Sequence, residues 1–179
     1  MRASEIKPYL LRELLFGGHH AVFTEVEYAD VFGITRSKYT HEFEIKVSKA
    51  DLFSELNCIK DLVLFGTPQK SYEKKYKHER YFKGESNMFC EVPNYFSFVT
   101  PFALEKVALE ILKDTKYGLY CIDIHENGGN PYATLGCQKK AQLLHKEKIS
   151  EKKLFYLLRK ASTEVQFLRE KNIKYEIRT

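Results

Sequence analysis

Apolar residues recur at Ile6, Leu10, Leu11, Leu14 and Leu15, the spacing of one helix face. They predict a helix over 5–16, with Ser4 as its cap and Gly17-Gly18 as its stop. The pattern then becomes β-branched and aromatic with interleaved polar groups, predicting strands over 21–28, 28–34 and 40–47. The segment TRSKY makes the turn between the last two. Ser48 caps a following helix over 51–64, with Asp51 in its first turn near the positive end of the dipole. Residues 66–93 read as irregular and polar. A strand over 94–100 ends at Pro101, a helix follows over 102–112, and a strand over 117–124 leads into the turn signal ENGGN at 126–130. A long helix over 150–171 closes the chain, with Leu154, Leu158, Ala161, Val165 and Leu168 as its expected core stripe. The order α-β-β-β-α-β-α-β-α predicts a mixed α/β fold, one sheet with helices around it.

The second and third strands fix a register. A loop over 35–39 sets Ile34 opposite Thr40, and antiparallel pairing carries that back to Asp30 opposite Glu44. Alternation puts Glu42, Glu44 and Lys46 on one face and Val31, Phe43, Ile45 and Val47 on the other. The apolar face is a good core set, so the acids gather on the opposite side.

Length favours one domain, 1–179, with a core over about 1–124 and a basic C-terminal extension over about 139–179. No stretch approaches a membrane span, and the N-terminal apolar runs are too short and too interrupted for a signal peptide. The four cysteines form no CxxC pair and the six histidines no ligand spacing, which points to reduced thiols and a cytoplasmic protein. The net charge of +5 is unevenly spread: residues 139–179 carry twelve Lys/Arg against five acids. A basic region beside an acidic body suits a polyanion-binding protein with a carboxylate site, and a solvated Lys-rich helix explains the charge equally well.

Facing carboxylates repel each other across a sheet, and a divalent cation removes that cost. Mg²⁺ takes hard oxygen ligands and keeps several waters. It polarises a phosphodiester and acidifies a bound water, while a lysine on the same face stabilises charge developing on the phosphate. The bare acid-x-Lys motif is common: it recurs at Glu5-x-Lys7, Glu73-x-Lys75, Asp114-x-Lys116 and Glu151-x-Lys153. Only Glu44-x-Lys46 lies in a strand, after a strand bearing Asp30 and before a capped helix.

This strand–turn–strand–helix arrangement over 24–52 resembles the PD-(D/E)XK nuclease superfamily, with flanking elements that match its restriction endonuclease-like α-β-β-β-α-β core. The resemblance covers about the first hundred residues. It implies Asp30 and Glu44 as ligands of Mg²⁺ or Mn²⁺, the Ile45 carbonyl as a further ligand, and Lys46 as the catalytic lysine. Many members add a helix-1 glutamate, for which Glu13 is the candidate; Glu25 and Glu27 on the first strand compete for the role. Ala29 stands where the family name has proline.

The aromatic-basic stretch 69–83 offers Lys74, Lys75, Lys77, His78 and Arg80 as nucleic-acid contacts, with tyrosines to stack on bases. Lys49, and Lys152 and Lys153 on the last helix, are further backbone contacts. The expected activity is metal-dependent hydrolysis of nucleic acid, DNA foremost, with a homodimer as a compatible assembly. The alternatives are a nucleic-acid-binding protein without hydrolysis and a module that binds an acidic protein partner.

Overall fold

The computed structural model describes the backbone of residues 1–65, 72–86, 91–127 and 130–176, and the side chains of these except 60–65, 72–75, 126, 127, 130 and 167–176. Its elements are α1 (Ala3–Phe16), β1 (His19–Val26), β2 (Ala29–Thr35), β3 (Thr40–Ile45), α2 (Lys49–Phe65), α3 (Tyr72–Lys83), β4 (Tyr95–Pro101), a 3-10 turn (Phe102–Leu104), α4 (Glu105–Leu112), β5 (Gly118–Asn127), β6 (Asn130–Lys139) and α5 (Glu151–Glu176). The chain divides into two compact units, Met1–Lys148 and Ile149–Thr179.

The first unit is a mixed α/β fold on one six-stranded sheet in the order β1-β2-β3-β4-β5-β6. β1, β2 and β3 form an antiparallel meander, β4 runs parallel to β3 and to β5, and β6 returns antiparallel to β5. Parallel neighbours require crossovers, and here α2 and α3 join β3 to β4 while α4 joins β4 to β5. Two cores result. On one face Ile6, Leu10 and Leu14 of α1 pack with Val31, Phe43, Ile45, Val99 and Ile122. On the other, Leu52, Leu56 and Ile59 of α2 meet Phe96, Phe98, Leu119 and Cys121, together with Ala108 and Leu112 of α4.

Ser48 caps α2 as expected, accepting the Asp51 N–H at 3.1 Å. At α1 the cap differs from the expectation. Arg2 is the N-cap and its N–H donates to the Glu5 carboxylate at 2.7 Å, which places Ser4 inside the first turn. Gly17 ends that helix, its N–H reaching the Glu13 carbonyl at 2.7 Å.

Two elements correct the sequence reading. The polar stretch 66–93, expected to be irregular, contains α3, whose inward face holds Lys77, His78, Arg80 and Tyr81. A buried helix face built from polar residues shows no apolar period, so it left no signal. β6 was also unforeseen: Pro131 and Gly136 interrupt its alternation, and both are tolerated because it is an edge strand.

Asn94, fully buried, ties the start of β3 to a later segment. Its Oδ1 accepts from the Thr40 N–H at 2.8 Å, and its Nδ2 donates to the carbonyls of His145 (3.0 Å) and Glu147 (2.6 Å).

In the second unit, the stripe expected to be core faces outward in part. Leu158 and Val165 are each 50% exposed, while Lys153 and Leu157 are buried. Among the described residues no helix is long and apolar enough to cross a membrane.

Candidate functional site

The β2–β3 ladder has the register read from the sequence: Ile34 pairs with Thr40, Phe32 with Glu42 and Val31 with Phe43. Phe43 and Ile45 pack behind it against α1, and Glu42 and Glu44 point to the α2–α3 side. The next step would set Asp30 against Glu44. Instead the Asp30 side chain takes up the strand's own hydrogen bond, its Oδ2 accepting the Ile45 N–H at 2.8 Å. Its Oδ1 lies 3.1 Å from Lys7 Nζ of α1. Asp30 is thus fixed to the residue between Glu44 and Lys46, but its charge is met from the other side of the sheet.

Glu44 and Lys46 do meet. Lys46 Nζ donates to Glu44 Oε1 at 2.7 Å and lies 2.6 Å from Glu55 Oε2 on α2. Lys77 of α3 donates to Glu44 Oε2 at 3.0 Å, pairs with Glu42 Oε1 at 2.7 Å and reaches the Tyr28 carbonyl at 3.3 Å. Tyr81 donates its hydroxyl proton to Glu42 at 2.6 Å. His78 sits behind the cluster, with Nε2 3.0 Å from Glu55 and Nδ1 3.0 Å from the Tyr117 hydroxyl.

Burial sets the electrostatics. Desolvation pushes the Glu44 carboxyl above its usual range, against the pull of Lys77 and Lys46. The same burial opposes charge on Lys46 and Lys77, yet the surrounding carboxylates more than offset it and both ammoniums are held more firmly than usual. Glu55 is also desolvated, but the hydrogen bond from His78 and the charges of Lys46 and Lys77 hold it well below the carboxylate range. Burial lowers His78, keeping it neutral. A neutral ring satisfies both contacts if Nε2–H donates to Glu55 and Nδ1 accepts from Tyr117. Three carboxyl side chains (Glu42, Glu44, Glu55) thus face two ammoniums.

The carboxylate oxygens of Asp30 and Glu44 with the Ile45 carbonyl are hard oxygens of the kind Mg²⁺ prefers. Loading them means displacing lysine ammoniums, Lys7 from Asp30 and Lys77 or Lys46 from Glu44. Among the described residues, no three His, Cys, Asp or Glu side chains gather as ligands to one ion.

The other expected residues are placed as follows. Glu25 pairs with Lys7, which also reaches Asp30. Glu13 lies six residues beyond Lys7 on α1, about 9 Å along the helix, and pairs with Arg12 instead. Lys49 is exposed at the start of α2, its ammonium 5.6 Å from the Phe53 ring. Lys77, His78 and Arg80 are buried, Arg80 donating Nε to the Glu85 carbonyl at 3.1 Å, so none is placed to grip a strand from the surface. The side chains of Lys74 and Lys75 lie outside the described residues. On α5, Lys152 is exposed and Lys153 buried.

Sequence reasoning missed Lys7 and Glu55. Glu55 carried a signal: it sits inside the stripe Leu52, Leu56 and Ile59, an acid on an apolar helix face. Lys7 carried none beyond its place beside Ile6.

No family model and no curated protein matches the chain. Among solved structures, it is similar to the SPO1766 protein of unknown function from Silicibacter pomeroyi, at 14% identity over 96% of this chain and 94% of that one, with a TM-score of 0.58. A likeness at that identity concerns the fold alone.

Proposed function

We propose that the protein is a metal-dependent nuclease on a restriction endonuclease-like core, hydrolysing phosphodiester bonds of DNA in the cytoplasm. The observation that carries this reading is the meeting of Glu44 and Lys46 at 2.7 Å, with the Asp30 carboxylate anchored on the residue between them. Asp30, Glu44 and the Ile45 carbonyl would hold Mg²⁺ or Mn²⁺. When bound, such an ion polarises the phosphodiester and acidifies a water. Lys46, kept as an ammonium by Glu55 and Glu44, keeps its proton and stabilises charge on the phosphate oxygens rather than acting as a base. Exposed Lys49 and Lys152 hold the nucleic-acid backbone.

A second reading is a nucleic-acid-binding protein without hydrolysis. It draws on the two lysines that already occupy both oxygens of Glu44. Incubation with single-stranded, duplex and branched DNA and with RNA, in Mg²⁺, Mn²⁺ or EDTA, separates the two. Metal-dependent cleavage that is lost in Asp30→Ala and Lys46→Ala supports the nuclease. Salt-sensitive binding without cleavage supports the second reading, and no binding at low salt contradicts both.

A further inference from the structure

α5 spans 26 residues, about 39 Å of helix. Its apolar residues Leu154, Leu158, Ala161 and Val165 are spaced by four, three and four, and the sequence continues the alternation to Leu168 and Asn172. That is a heptad repeat, with Leu158 and Val165 at a and Leu154 and Ala161 at d. The seam is open: Leu158 and Val165 are half exposed, whereas the buried residues Lys153 and Leu157 fall on the helix's other flank. A shallow hollow on this face is lined by Leu158, Ala161, Ser162, Val165 and Gln166. The first four are the a, d, e and a positions that receive a d-position knob from a facing parallel helix.

We propose that this face pairs with α5 of a second copy of the chain as a parallel two-stranded coiled coil. Self-pairing is favoured because a two-fold axis along the seam sets each hollow against an identical knob. Charge agrees with the parallel direction. Glu164 is at g, exposed, and 3.8 Å from Lys160 on its own helix. In a parallel pair its cross-helix partner is the e position five residues on, which is Arg169 in the sequence. Valine at a, and Asn172 at the a position one heptad on, both favour two strands in register. The inference is independent of the nuclease reading, since no residue of the Asp30–Lys46 site takes part.

Sedimentation of the full chain up to roughly 100 µM, a range that captures weak association, tests it. The expected result is a concentration-dependent species of twice the 21.0 kDa chain mass. The double variant Leu158→Glu/Val165→Glu should be monomeric with unchanged circular dichroism. As a milder probe, Glu164→Arg should weaken the dimer about tenfold by setting like charges across the seam, and adding Arg169→Glu should restore it. A wild type that stays monomeric, a double variant that dimerises as well as wild type, or a charge swap without rescue would each overturn the proposal.

Discussion

Glu55 is the side chain on which the cluster's charge order turns. It is 2% exposed, holds Lys46 at 2.6 Å and accepts from neutral His78 at 3.0 Å. Glu55→Gln keeps the shape and removes the charge, leaving Lys46 only Glu44, which it shares with Lys77. Breaking a buried pair from one side costs about 3 kcal/mol, so the urea midpoint should drop accordingly. A variant as stable as wild type would show that Lys46 needs no second anchor. A second outcome at this scale concerns pH. His19, His41 and His78 all have lowered pKa values, each because burial disfavours the charged ring. The folded chain keeps them neutral while the unfolded chain takes up protons as pH falls through 6.5, the ordinary histidine value. Their contribution is therefore present above that pH and lost below it, by up to about 1.4 kcal/mol per pH unit per ring. Glu55, lowered in the fold, adds its own loss as pH falls below 4.5. Urea titrations at about pH 7.5 and 5.5 should show the midpoint falling; a flat or rising midpoint contradicts the neutral assignment.

Among the elements, β3 does most to place the site, and tight contacts fix its N-terminal end. At its N-terminal end, Asn94→Ala leaves the Thr40 N–H without its acceptor and two carbonyls without their donor. Buried polar groups left unmet cost about 1–3 kcal/mol each, so calorimetry should show a marked fall in Tm. On β5, a Cβ at Gly118 would run into Ser97 Oγ and come within 2.9 Å of the Ala141 nitrogen. Ser97 Oγ is already engaged by His41 Nε2 at 2.8 Å. Gly118→Ala should therefore destabilise by about 1–3 kcal/mol through overpacking, and a neutral result would mean that the strand gives way easily.

The same elements show what could be read from the chain alone. The β2–β3 register was legible because strict alternation around Phe43 and Ile45, with a short loop, leaves one pairing that buries both. Alternation brought Glu44 and Lys46, two residues apart, to one face, and the register brought the Asp30 carboxylate to the Ile45 N–H between them, where Lys7 from α1 meets its charge. A long side chain reaching from a separate element has no local signature. α3 was illegible for the opposite reason: the residues it buries, Lys77 and His78 among them, belong to a charge cluster, and their character suggests a surface loop. The α5 stripe was legible as a stripe, but the pattern cannot say whether the chain itself covers it.

At the scale of the whole molecule, the formal charge is +5, with the excess carried by residues 139–179 and a slight acidic surplus left on the rest of the chain. A molecule of that kind that binds DNA through surface lysines should lose affinity steeply with salt, and Lys49→Ala with Lys152→Ala should lower the slope of log K against log salt by about 2. The most direct measurement is cleavage of labelled DNA by wild type and by Lys46→Ala, each in Mg²⁺ and in EDTA. The nuclease reading predicts cleavage by wild type in Mg²⁺, none in EDTA, and a rate reduced at least about a hundredfold in the variant with binding retained. DNA bound by wild type but left intact in Mg²⁺ and in Mn²⁺, or cleaved equally well by Lys46→Ala, would contradict it.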